Sequence, residues 1–351
     1  LARYEEQTGG RAIAPAHNGN TSNGLMFNGK DFKGKKITRA YAEARMRFEP
    51  LYEVTQIKGD GETHPLLSPN DEFADYERWD VSNLSGTAPK EQWMLEYEYA
   101  RSALKMGLKL GDELGVNPYK FGLIGTTDTH TALATSREEN YFGKYQHTEP
   151  SPKRHGRDVI PAEDPSLRIL TAQEVASGLM AVWARENTRQ ELFDAMKRKE
   201  VYATTGTRIR VRVFGGWDFA AEEVFRTDFV AQGYQRGVPM GGDLRNAPDD
   251  KSPTFMIRSL RDPDGANLDR VQVIKGWLDE EGNTHERIYD VAVSGGREIG
   301  KDGRVREPVG NTVDINNATF TNTIGSTTLA TVWSDPDFDP GQAAFYYVRV
   351  L

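Results

Sequence analysis

The stretch Gly125, Thr126, Thr127, Asp128, Thr129, His130 places a carboxylate and an imidazole two residues apart. Both can reach one cation if the chain leaves a strand and turns there, and this donor pair suits Zn, Mn or Fe. The bland alternative is a capping Asp beside a hydrogen-bonded loop His. His17 follows the mostly apolar run 11–16 and precedes Asn18, Gly19 and Asn20, a flexible polar loop in which glycine permits close backbone approach to a ligand. Glu53 shares a strand face with Leu51, Thr55 and Ile57, so once buried it needs a partner such as a cation or a metal-bound His. Lys58 could meet an anionic substrate. Glu62 and His64 could be ligands, an acid/base pair or plain loop residues. Arg208, after Gly206, offers bidentate recognition of phosphate or carboxylate, or an ordinary exposed strand position. His147, His155 and His285 sit in polar surroundings and read as surface.

These residues need a scaffold. In the first part of the chain helix-like and strand-like segments alternate. Ile37, Tyr41, Ala44 and Phe48 form one helical face that Pro50 ends, and 51–57 reads as a strand. Trp93, Tyr97, Ala100, Leu104 and Leu108 repeat at helical spacing, and 121–127 is a second strand ending at Asp128. Residues 136–168 read as a long polar loop and 172–185 as a helix. Thr188 with Glu191 resembles a capping box opening another helix, and 201–204 is a short strand. Such alternation predicts parallel strands with helical crossovers, in which chemistry gathers at the C-terminal strand ends. His17, Asp128 and the 205–208 turn all fall there.

From about residue 208 the pattern changes to strands and turns, with strands expected at 208–214, 254–260, 270–277, 286–293, 311–320, 327–333 and 343–350. Antiparallel strands in this number suggest a β-sandwich. The expected organisation is an α/β domain over 1–207 and a β-sandwich-like domain over 208–351.

Composition bounds the function. The 351 residues carry 44 Lys and Arg against 52 Asp and Glu, a net charge of −8, which argues against general nucleic-acid binding. The chain has no cysteine, so disulfides, thiolate nucleophiles and Cys-ligated metals are excluded. No run of apolar residues is long enough for a membrane helix.

The segment from Phe121 to His130 resembles the last metal motif of the PHP (polymerase and histidinol phosphatase) superfamily, and Ala16 to Gly19 resembles its earlier single-His motif. The strings 17–24, 56–64, 68–75, 182–189 and 198–206 are similar to those of a PHP-like group labelled a domain of unknown function. The resemblance covers nearly the whole chain. It implies a partial, distorted (β/α)7 barrel, two or three divalent metal ions (Zn, Mn or Fe) and hydrolysis of phosphoesters. It implies His17, Asp128 and His130 as metal ligands and Glu53 as an acidic residue of the site. Lys58, Glu62, His64 and Arg208 match the group's own strings.

The chain departs from the superfamily in having no His-x-His pair. The expectation is therefore a missing N-terminal segment, or a second chain, that completes the metal site, with a degenerate site as the alternative. The leading reading is a metal-dependent hydrolase of a small phosphoester or related ester. In it metal-activated water attacks, Lys58 and Arg208 neutralise charge, and Glu62 or His64 protonates the leaving group. An amidohydrolase-like enzyme and a non-catalytic binding protein are the rivals. Resemblance to exported proteins favours a periplasmic or extracellular home.

Overall fold

The computed structural model describes residues 1–137, 140–146 and 149–351. The chain divides into two compact units, Leu1–Thr207 and Arg208–Leu351. No helix among the described residues is long and apolar enough to cross a membrane.

The first unit opens with α1 (Ala2–Thr8). α2 (Arg39–Phe48) starts where the Thr38 hydroxyl accepts from the Tyr41 N–H, and Arg45 and Arg47 in its last turn suit the negative end of the helix. Next come β1 (Leu51–Gln56), buried along its whole length, and the short β2 (Gly59–Asp60), which folds back antiparallel on it. α3 (Gln92–Leu95) and α4 (Ala100–Leu114) precede β3 (Gly122–Gly125). β3 pairs parallel with β1 on one side, while Ala16 makes a parallel bridge to Tyr52 of β1. Three chain segments thus run in the same direction and end side by side. The buried faces behind them hold Phe27, Tyr52, Val54, Ala100, Ala103 and Tyr119, with Phe27 edge-on to Tyr52 at 5.0 Å and to Tyr119 at 5.2 Å.

The rest of this unit is built from small antiparallel pairs. β4 (Asp158–Ile160) pairs with β5 (Ile169–Leu170), inside the stretch expected to be loop. β6 (Leu179–Val182) pairs with β7 (Val201–Thr204), with α5 (Arg189–Arg198) between them. No closed barrel forms among the described residues, and named parallel pairing is confined to β1 and β3.

Two helix expectations fail for tertiary reasons. In place of a helix over 172–185, a single 3-10 turn at Thr171–Gln173 gives way to extended chain over 174–182: Val175 N–H donates to Ile57 O at 3.0 Å and Gly178 N–H to Thr126 O at 2.9 Å. These long-range hydrogen bonds across the ends of β1 and β3 displace the local helical preference. The periodic run 93–108 is split, because the carbonyls of Tyr97 and Glu98 accept from Phe27 N–H and the Tyr52 hydroxyl instead of continuing a helix.

The second unit is mostly antiparallel sheet. Its elements are β8 (Arg210–Gly216), α6 (Phe229–Arg236), β9 (Gly237–Pro239), β10 (Thr254–Leu260), β11 (Arg270–Leu278), β12 (Thr284–Val293), β13 (Val313–Asp314), β14 (Thr319–Phe320), β15 (Thr328–Ser334) and β16 (Ala344–Val350). One sheet has the order β15-β10-β8-β9 and another β12-β11-β16. Aromatic side chains meet from the two sheets, Phe255 with Tyr346 at 4.6 Å and Tyr289 with Trp333 at 4.9 Å.

The expected strand 311–320 is a hairpin instead, β13 with β14. Its turn forms because the Asp314 carboxylate accepts from the N–H groups of Asn316 and Asn317 at 3.0 and 3.2 Å. α6, which sequence reading did not anticipate, packs Phe229 and Val230 onto the cluster of Phe214, Phe219, Val224 and Met256.

Candidate functional site

Polar side chains collect just past the ends of β1 and β3. Asp128 adopts φ +50, a left-handed conformation for a non-glycine residue, and this turns the chain out of the strand direction. Two ammonium groups hold the turn. Lys144 Nζ contacts both the carbonyl and Oδ2 of Asp128, and Lys58 Nζ contacts Oδ2 as well. Lys58 also donates to Gln56 Oε1 at 2.9 Å. The Lys58 and Lys144 side chains are 5% and 1% exposed, whereas His130 is 53% exposed and faces solvent.

His130 Nδ1 lies 3.0 Å from Lys144 Nζ and 2.9 Å from the carbonyl of Asp128. An ammonium donates to Nδ1 and a carbonyl accepts from it, so only one of the two contacts is a hydrogen bond in a given tautomer of His130. The backbone N–H of His130 donates to the Lys144 carbonyl at 2.7 Å, which ties the two residues together.

Glu53 sits one layer deeper. Its Oε2 accepts from Gln56 Nε2 at 2.9 Å, its Oε1 accepts from the Thr126 hydroxyl, and Gln56 Nε2 also donates to Asn18 Oδ1 at 2.9 Å. The chain Asn18–Gln56–Glu53–Thr126 therefore stitches together the three segments that end here.

Charge counting sets the electrostatics. Asp128 contacts both ammonium groups, and the carboxylates of Glu53 and Glu174 oppose the same two charges from further off. Burial, followed by the charge of Lys144, lowers Lys58 to about 7, and burial lowers Lys144 to about 8. Burial and the same two lysines also push His130 below its ordinary value.

The other expected site residues lie elsewhere. His17 is exposed, with Nδ1 3.4 Å from the Pro15 carbonyl, and makes no hydrogen bond or ion pair to Asp128, His130 or Glu53. Glu62 accepts from Arg101 at 2.8 Å, and the fully buried Arg101 also binds Asp71 at 2.7 Å. His64 is buried. Leu66 N–H donates to its Nδ1 at 3.2 Å, so Nε2 carries the proton and donates to Asp80 Oδ2 at 3.2 Å. Glu62 and His64 thus belong to a structural network around α4 and the loop before it, not to an acid/base pair at Asp128. Arg208 lies in the second unit, exposed, with its backbone N–H on Asp262 Oδ2 at 2.6 Å. His155 is exposed, and His285 stacks on Trp277 while binding Asp279 at 2.6 Å. His147 lies outside the described residues.

Among the described residues no three His, Asp or Glu side chains gather as metal ligands. Of the expected set, His17 and Glu53 are not gathered with Asp128 and His130 as ligands among the described residues. Asp128 and His130 alone stay together, with Oδ1 and Nδ1 4.0 Å apart. Their donor types suit one divalent ion, although the other carboxylate oxygen is engaged by both lysines.

Lys144, Gln56, Thr126 and Asn18 are the members of the site that sequence reading did not single out. Gln56 and Thr126 flank the residues that were chosen. Lys144 arrives from a polar loop with no local pattern to mark it.

No curated protein and no solved structure matches the chain. A family described as a protein of unknown function (DUF3604) matches residues 1–351, and the chain therefore belongs to that family.

Proposed function

We propose that the protein is a hydrolase of anionic esters, phosphoesters foremost, with its reaction centre at Asp128, His130, Lys58 and Lys144. One observation carries this reading: two buried ammonium groups converge on a single carboxylate beside a solvent-facing imidazole. Two cationic donors beside a solvent-facing imidazole favour a ligand bearing oxyanions. In this low-dielectric setting the ammonium groups stabilise negative charge growing on phosphoryl oxygens. With Lys58 at about 7 and Lys144 at about 8, either can pass a proton to a leaving oxygen near neutral pH. Without an ion at Asp128, His130, exposed and held below its ordinary value, is the group placed to take a proton from water.

Asp128 and His130 are the side chains that would hold a divalent ion, and such an ion would supply acidity to the attacking water, whose pKa can fall from about 15.7 to about 7. The fold reading that goes with this function is a partial, distorted PHP-type barrel followed by a β-sandwich-like region. Its support is the parallel alignment of Ala16, β1 and β3 with polar groups at their common ends.

The test is a panel of phosphomonoesters, phosphodiesters, amides and lactones against the wild type and Asp128→Ala. Phosphoester turnover lost in the variant is the expected result. Turnover confined to amides or lactones favours an amidohydrolase-like enzyme, and unchanged turnover in Asp128→Ala removes the site assignment. The missing third ligand among the described residues favours a second reading, an anion-binding protein without turnover. Its signature is saturable phosphate binding with no hydrolysis of any ester.

A further inference from the structure

A second feature of the first unit lies beyond Glu174, which interacts with Lys144 on one side and with Glu149 and Arg154 on the other. A cavity of about 480 Å³ is lined by Tyr141, Phe142, Glu149, Pro150, Ser151 and Arg154, among others. This is the size of a pocket for a small molecule. Its wall carries an unmet demand. The Glu149 side chain is 1% exposed, and its Oε1 has no hydrogen-bond partner among the described residues. Its Oε2 is met at 3.4 Å by Arg154 Nη1, the outer limit of such a contact. A buried carboxylate left half-satisfied is costly, so a donor is expected to reach it. Glu149 is among the residues that line the cavity, which sets its carboxylate at the wall. Gly143, at φ +109, leaves the space beside that carboxylate, because a Cβ there would overlap it.

Arg154 supplies the complementary charge. Its Nη1 is spread between Glu149 and the Tyr141 carbonyl, each at 3.4 Å, and its remaining N–H groups make no hydrogen bond among the described residues. The guanidinium lies over the Tyr141 ring at 5.3 Å, which fixes its plane. The Tyr141 hydroxyl is committed to Glu174 Oε2 at 2.5 Å, so the ring is anchored at both ends. An acidic and a basic group thus flank a wall of Phe142, Pro150 and Tyr141.

We propose that this cavity binds a small zwitterion, with a primary ammonium on Glu149, an oxyanion on Arg154 and a short carbon spacer on the apolar wall. The site is independent of the hydrolase reading and stands or falls separately from it.

The probes are β-alanine, propylamine and propionate, titrated calorimetrically into wild type, Glu149→Gln and Arg154→Met, with thermal unfolding of each variant as the check on folding. β-Alanine is expected to bind about tenfold or more tightly than either single-charge probe. Each variant should lose about tenfold in β-alanine affinity, and Glu149→Gln should not weaken propionate binding, because it takes a competing carboxylate away from Arg154. No saturable β-alanine binding to the wild type overturns the proposal. So does a Glu149→Gln protein that binds β-alanine as well as the wild type. Arg154 is partly exposed, so Arg154→Met tests the same site with little risk to folding. Undiminished β-alanine affinity in that variant also overturns the proposal.

Discussion

Lys58 and Lys144 meet at one oxygen, Oδ2 of Asp128, although one follows β1 and the other comes from the loop beyond β3. Two buried cations on one anion is an asymmetric arrangement, and its response to substitution should be asymmetric too. Replacing Lys144 by Met leaves Lys58 and Asp128 as a matched pair, so the expected loss of stability is within about 1 kcal/mol. Replacing Asp128 by Ala leaves two buried ammonium groups facing each other and should cost about 3–5 kcal/mol. Urea unfolding of both variants checks the contrast. Equal losses would mean that the lysines are not held by this carboxylate.

The same lysines set a pH dependence. Both are held below the ordinary value of 10.5, Lys58 at about 7 and Lys144 at about 8. Between those values and 10.5 the unfolded chain binds more protons than the folded one, so stability contributed by these groups rises with pH across that window. The urea midpoint of the wild type should therefore increase between about pH 7 and about pH 9 relative to a Lys58→Met, Lys144→Met double variant. A flat difference between the two proteins over that range removes the lowered lysines from the description. In Lys144→Met the repulsion on Lys58 is gone, and direct NMR titration of Lys58 should show its midpoint move upward.

Glu62 and His64 separate structure from chemistry. Glu62 satisfies the fully buried Arg101, and His64 donates to Asp80, whose carboxyl is held below its usual range first by that hydrogen bond and then by Arg78. Asp80 therefore stabilises the fold above its ordinary range near 3.8, and that contribution is lost as pH falls below it. Glu62→Gln and His64→Ala should each lose about 1–3 kcal/mol of stability. Turnover per folded molecule should stay within about twofold of the wild type, since neither side chain touches the Asp128 group. A collapse of kcat in a folded His64→Ala protein would return it to the reaction centre.

What the sequence made legible follows the range of the forces involved. β10 and β7 were read at their observed bounds, and the Thr188 cap opens α5 as its residue type implies, because β-branched runs and caps act locally. Asp128, His130 and Lys58 were legible because a strand end fixes where the next residues go. Lys144 was not, since only the folded loop brings it to Asp128. Glu62 and His64 carried the right residue types for catalysis, but Arg101 on α4 and Asp80 claim them, and neither contact leaves a trace in the local spacing. His17 kept its place at a strand end, yet its side chain turns to solvent.

Gly178 shows how a long-range contact overrode a helical pattern, and it yields a sharp test. A Cβ at this position would lie 2.5 Å from Thr55 O and 2.8 Å from Thr126 N, both backbone atoms that cannot give way cheaply. Gly178→Ala should cost about 1–3 kcal/mol and disturb the Thr126 contact with Glu53. Gly156 has nothing within 4 Å of an added Cβ, so Gly156→Ala should be neutral or slightly stabilising. Similar effects of the two substitutions would contradict the close approach of 178 to the strand ends.

Metal stoichiometry bears most directly on the chemistry. The resemblance implies two or three ions, while the described residues bring together two donor side chains, Asp128 and His130. Two protein ligands with an ammonium pair on the same carboxylate make a weak, exchangeable site, because each lysine charge opposes a divalent cation. Plasma mass spectrometry of the purified chain should therefore find no more than about one equivalent of Zn, Mn or Fe, removed by a chelator and absent in Asp128→Ala. Folding should not depend on the ion, so chelation should leave the thermal midpoint nearly unchanged, unlike a structural site whose binding energy is folding energy. Two or more equivalents that survive gel filtration would show that further ligands join the site from another segment or a second chain, and the lysines would then have to leave Asp128 when the ions bind.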